Sequence, residues 1–82
     1  MLLAIDAGNT NIKLGVYHGR ELLTKWRLAH AELGSEHDSA TRVRELFDSS
    51  GIDVKEVEAI IIASVVPQMN HTLRQLSERL AR

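Results

Sequence analysis

Cysteine is absent from this 82-residue chain. That excludes disulfides, thiolate chemistry and Cys-based zinc sites, and it fits a reducing compartment. Aromatic residues are scarce, with one Trp, one Tyr and one Phe. Charge of one sign is missing too. Lys and Arg number 10 against 11 Asp and Glu, for a formal net charge of −1, so no general attraction to nucleic acid or anionic lipid is expected. No apolar run approaches the ~18 residues needed to span a bilayer. Met1 leads straight into an apolar run and then Asp6, with no basic segment in front, unlike a secretory signal. The expectation is a soluble, cytoplasmic protein with no nucleic-acid or membrane partner. Neither Gly-x-x-x-x-Gly-Lys-Ser/Thr nor Gly-x-Gly-x-x-Gly occurs, which argues against P-loop and Rossmann nucleotide sites. His18, His30, His37 and His71 are scattered without metal-ligand spacing, and zinc needs converging ligands.

What is present is a globular composition, 44% hydrophobic and 26% charged, distinct from that of disordered chains. There is no linker, repeat or low-complexity segment, so residues 1–82 read as one domain. A chain of this size buries only about 60–65% of its unfolded surface.

Leu2 to Ala7 predicts a strand with apolar residues on both faces, suited to the middle of a sheet. Asn11 to Tyr17 alternates, with Ile12, Leu14 and Val16 on one face and Lys13, Gly15 and Tyr17 on the other. His18-Gly19-Arg20 is a short turn. Glu21 to Ala29 predicts a third strand with Leu22, Thr24, Trp26 and Leu28 on one face. Leu23, Lys25 and Arg27 fall on the other. Arg20, Lys25 and Arg27 form either a small basic face or a solvated strand surface. His30 to Asp38 reads as a loop. Asp38 or Ser39 caps a helix to Ser49, and Gly51 stops it in a left-handed conformation. Asp53 to Val57 suits one short helical turn. Ala59-Ile60-Ile61-Ile62-Ala63 is continuous and β-branched, the pattern of a parallel strand buried on both faces. Pro67 fits the first position of a last helix, in which Met69, Leu73, Leu76 and Leu80 form one apolar stripe. The start of that helix is either an anion site or a plain helix start after a strand. The order is β-β-β-α-β-α, an α/β fold with helices packed on a mixed sheet.

The candidate site is the turn between the first two strands, Asp6-Ala7-Gly8-Asn9-Thr10 with Asn11 and Lys13 behind it. Gly8 permits positive φ and a close backbone approach to a ligand. Exposed N–H groups in such a turn make an anion-binding concavity, to which Thr10 and Lys13 add a donor and a positive charge. An acid beside it, Asp6, suits a divalent cation riding on phosphates. The alternative is an ordinary hairpin turn in which Asp6 and Asn9 satisfy backbone groups.

Leu3-Ala4-Ile5-Asp6-Ala7-Gly8-Asn9-Thr10-Asn11 through Leu14-Gly15-Val16-Tyr17, with Trp26-Arg27-Leu28 downstream, resembles the N-terminus of bacterial type III pantothenate kinases. Ile62-Ala63-Ser64-Val65-Val66-Pro67 resembles a second characteristic stretch of that family. The resemblance implies one ribonuclease H-like half-domain of the acetate and sugar kinase, heat-shock chaperone and actin superfamily, in which the unit is duplicated and ATP binds between the halves. It implies that Asp6 organises Mg²⁺ and its waters. Gly8, Asn9, Thr10 and Asn11 then belong to the ATP-phosphate loop, with Lys13 balancing phosphate charge. Phosphoryl transfer relies mainly on positioning and charge neutralisation, which such parts supply.

Members of that family are roughly three times this length by the same resemblance. The Gly-x-Asp-Arg stretch of the pantothenate site, the second phosphate loop, an adenosine-contacting segment and the catalytic base have no counterpart in these residues. The expectation is an N-terminal half without a catalytic residue of its own, inactive alone in the ATP-dependent phosphorylation of pantothenate that begins coenzyme A synthesis. A homodimer that imitates the duplicated fold is a second expectation, since C2 association is the common way to bury an uncovered apolar patch. A non-catalytic binding module is a third.

Overall fold

The computed structural model describes residues 1–34 and 36–80. Strands β1 (Leu2–Ala7), β2 (Asn11–His18) and β3 (Glu21–Ala29) form an antiparallel meander. Strand β4 (Ala59–Ser64) lies parallel to β1 on its other side, and the order is β3-β2-β1-β4. This is the mixed sheet expected from the sequence. The N-terminus is tied in where β1 and β4 begin. The Met1 ammonium donates to the Glu56 carbonyl at 2.8 Å, and the Glu58 N–H donates to the Met1 carbonyl at 2.8 Å.

The meander leads into helix α1 (His30–Leu33), where a loop was expected, and then into α2 (Glu36–Ser49), which starts ahead of the expected cap at Asp38 or Ser39. Ser35, part of that expected loop, lies outside the described residues. Two contacts make a four-residue helix worthwhile. Leu33 is buried in the core, and Glu32 Oε1 accepts the Ala29 N–H at 2.9 Å, satisfying a donor of the helix start. Helix α2 ends as predicted. Gly51 has φ 72°, its N–H donates to the Asp48 carbonyl at 3.2 Å, and the Ile52 N–H donates to the Phe47 carbonyl at 3.1 Å. A single 3₁₀ turn (Val54–Glu56) is capped by Asp53, whose carboxylate accepts the Lys55 N–H. After β4, Pro67 opens a second 3₁₀ turn (Pro67–Met69) that passes into α3 (Asn70–Leu80).

All three helices pack on one face of the sheet. Leu3, Ile5 and Ala7 of β1, Ile12, Leu14 and Val16 of β2, and Leu28 of β3 meet Leu33, Val43, Phe47, Leu73, Leu76 and Leu80 in one buried cluster. Each large member contributes about 1.5–3 kcal/mol by leaving water. Trp26 packs on Phe47 with ring centroids 5.4 Å apart, fixing α2 against β3. Arg44 of α2 donates to the Arg79 carbonyl at 2.8 Å, which joins the end of α3 to α2.

The opposite face carries no helix among the described residues. It presents Ala4, Asp6, Lys13, Gly15, Tyr17, Lys25 and Arg27. Two expectations fail there. The Ala59–Ala63 run is parallel, as predicted, but it is not buried on both faces. It is the sheet's edge, and Ile61 is 58% exposed. Leu22 does not share a face with Trp26. Leu22 pairs with Tyr17 and lies on the open face against the Tyr17 ring, above Gly15, and a bulge opposite Val16 and Tyr17 then turns Thr24 and Trp26 to the core face.

Candidate functional site at the carboxyl ends of β1 and β4

Strand β1 ends at Ala7, and the chain crosses to β2 through Gly8, Asn9 and Thr10. The crossing is closed by the Gly8 N–H donating to the Asn11 carbonyl at 2.9 Å. The strand pairing then aligns the polar groups. Asp6 lies opposite Lys13, and Lys13 opposite Arg27, all on the open face. Directly paired residues on one face of a sheet stand about 5 Å apart at Cβ. The result is an open recess of about 210 Å³ lined by Asp6, Gly8, Asn9, Thr10, Asn11, Lys13 and Arg27. Asp6, Gly8, Asn9, Thr10, Asn11 and Lys13, the candidate phosphate and metal residues of the sequence, therefore line one feature.

The same sheet end receives the second motif. Ser64 is the register partner of Ala7, and the Val65 N–H donates to the Ala7 carbonyl at 3.1 Å. Ser64 Oγ accepts the Val66 N–H at 3.1 Å and shapes the exit from β4. Two stretches more than fifty residues apart in sequence thus meet at the carboxyl ends of two parallel strands, the end where open α/β sheets place ligands.

Gly8 departs from one expectation. Its φ is not positive, and an added Cβ would meet only the Asn11 carbonyl oxygen at 3.4 Å, an ordinary contact. Its value is a bare backbone beside the recess, not a left-handed turn. The electrostatics of the recess are mixed, with one carboxylate and two cations. Asp6 is exposed and has no ion-pair partner among the described residues. No group of three or more His, Asp or Glu side chains capable of holding a metal occurs among the described residues. A lone carboxylate does not build a metal cage. It does fit Mg²⁺, which keeps several waters and takes its other ligands from phosphate oxygens.

Two residues of the site escaped the reading of the sequence. Arg27 was left open between a basic face and a solvated surface, and the structure sets it in the recess beside Lys13. His30 carried no assignment. Its Nε2 lies 2.8 Å from the Gly8 carbonyl oxygen, behind the turn. Regular strand pairing misses Arg27, because a bulge shifts the register before Lys13 is reached. His30 had no local signal, because its contact spans 22 residues.

The family profile described as type III pantothenate kinase matches residues 2–82. The chain belongs to the type III pantothenate kinase family. Relatives bearing that name include one from Myxococcus xanthus, 45% identical over 82 residues that cover the whole chain and 32% of the relative. Another, from Halalkalibacterium halodurans, is 43% identical over 79 residues, covering 96% of the chain and 31% of the relative. One from Solibacter usitatus is 40% identical over 79 residues and is covered to 30%. The chain thus spans about a third of the length of these pantothenate kinases. Its four-stranded mixed sheet with helices packed on it is that of a ribonuclease H-like half-domain, with the short α1 added ahead of the crossover helix α2.

Proposed function

We propose that residues 1–82 act as the N-terminal half-domain of a type III pantothenate kinase and hold the phosphates of ATP with Mg²⁺. The observation that carries this reading is the recess in which Asp6 faces Lys13 and Arg27 beside the Gly8–Asn11 backbone. Lys13 and Arg27 neutralise phosphate charge. Thr10 Oγ and the loop N–H groups donate to phosphate oxygens. Asp6 would hold Mg²⁺ through its waters, and the bound ion would supply further charge neutralisation. Asp6 is engaged in this way and is not a general base. No residue of the chain is assigned to proton abstraction from pantothenate, so the chain alone is inactive. ATP and pantothenate place the work in the cytoplasm. No helix among the described residues is long and apolar enough to cross a membrane.

Titration calorimetry with Mg–ATP tests the loop directly. Binding by the wild type that Asp6→Ala and Thr10→Ala each weaken supports the reading, and a wild type that binds no nucleotide overturns it. An assay with ATP and pantothenate is expected to give no turnover above background.

The uncovered sheet favours a second reading, a non-catalytic half-domain that self-associates as a homodimer imitating the duplicated kinase fold. Ile61, Ile62 and Val65 expose apolar surface on and just beyond the unpaired edge of β4, and unprotected edges attract strands or a second copy. Light scattering at tens of micromolar decides it. A well-folded monomer removes this reading and leaves the phosphate loop untouched.

A further inference from the structure

We infer that His30 is a positioning residue that latches the Gly8–Asn9 peptide so that the Asn9 N–H faces the phosphate recess. The inference rests on the phosphate reading of that recess and adds to it a residue from outside the loop. The argument starts at the Gly8 carbonyl. It lies 2.8 Å from His30 Nε2 in a half-buried contact. A carbonyl oxygen can only accept, so Nε2 carries the proton and donates, which fixes the ring's tautomer. No cis peptide bond occurs among the described residues. In a trans peptide the C=O and the N–H of one unit point in opposite directions. The Gly8 carbonyl and the Asn9 N–H belong to the same unit. With the carbonyl turned toward His30, the Asn9 N–H points away from it. Gly8, Asn9 and Thr10 line the recess, and His30 does not.

Nothing within Gly8 enforces this orientation. Its φ is unexceptional, its neighbourhood leaves room, and glycine rotates more freely than any other residue. A flipped peptide would present a carbonyl oxygen to the anion in place of a donor. His30 is well placed to prevent the flip. It opens α1, directly after Ala29, which is the register partner of Asn11 at the far end of the loop. The Ala29 N–H is held by Glu32, and Leu33 anchors the turn in the core. The base of the latch is therefore tied to both the strand end and the core.

The test compares the 82-residue wild type with His30→Ala and His30→Gln, whose side-chain amide nitrogen reaches the place of Nε2. Mg–ATP titration is expected to show affinity reduced about three- to tenfold in His30→Ala, the worth of one hydrogen bond, and largely recovered in His30→Gln. The ¹⁵N order parameter of the Asn9 amide is expected to fall in His30→Ala, while those of core amides such as Leu3 and Val16 stay unchanged. Equal affinity in all three proteins overturns the latch. If the wild type binds no Mg–ATP, the phosphate reading fails, and the latch is judged on the order parameter alone: an unchanged Asn9 value in His30→Ala overturns it, and a lower value upholds it. If His30→Ala does not fold, ring ¹⁵N shifts of the wild type decide. A proton on Nε2 with the Gly8 carbonyl as partner upholds the latch, and a proton on Nδ1 alone overturns it.

Discussion

Strands β1 and β4 are written in nearly the same alphabet and live in different environments. Leu2-Leu3-Ala4-Ile5 and Ala59-Ile60-Ile61-Ile62-Ala63 are both short, apolar and uninterrupted. β1 sits between two partners, and its Leu3 and Ile5 are 0% and 2% exposed. β4 has a partner on one side only, and Ile61 on the open face is 58% exposed. Composition tells how much burial a strand can use. The number of neighbours and the faces they cover decide how much it receives. A continuous apolar run on an edge is therefore evidence of a surface suited to a partner, not of a filled core.

The comparison can be broken by substitution. Leu3→Ala on β1 is expected to cost about 2–5 kcal/mol, read as a lowered urea midpoint. Gly51→Ala, in the crossover that delivers β4, comes next at about 1 kcal/mol. An added Cβ there meets nothing within 4 Å, so the loss reports only the positive φ of 72°. Ile61→Ala on β4 is expected to change stability by less than about 0.5 kcal/mol. A loss equal to that of Leu3→Ala would mean that the edge is covered in solution. Ile61→Lys sharpens the point, since it is expected to leave the urea midpoint in place and to lower any self-association seen by light scattering. Gly8→Ala is expected to have the smallest effect on stability, within about 0.5 kcal/mol, while weakening Mg–ATP binding by placing a methyl group beside the recess.

Much of the site was legible because its residues are contiguous. Asp6, Gly8, Asn9, Thr10, Asn11 and Lys13 sit in one turn between two strands, and a turn keeps its own residues together whatever surrounds it. Arg27 was harder. Counted back from the His18–Glu21 pair, regular pairing puts Trp26 opposite Lys13. The bulge shifts the register so that Arg27 takes that place and Trp26 reaches Phe47 in the core. The conflict between hairpin counting and the burial of Trp26 was the available signal. Leu22 keeps the regular pairing with Tyr17 on the open face, and the same shift is what separates it from Trp26. Helix α1 was read as a loop because four residues carry too little periodicity, and its stability comes from Leu33 in the core rather than from propensity.

The sequence by itself determined the four strands and the two longer helices, the phosphate-loop candidate, the helix stop at Gly51 and the family. Each depends on neighbouring residues or on a local motif. Only the tertiary structure decided that β4 is an edge, that Arg27 joins Lys13, and that His30 reaches back to the Gly8 carbonyl. Those facts come from contacts between distant segments, and the free energy that selects them is the burial of Leu3, Phe47 and Leu73 in a common core, which no single segment carries.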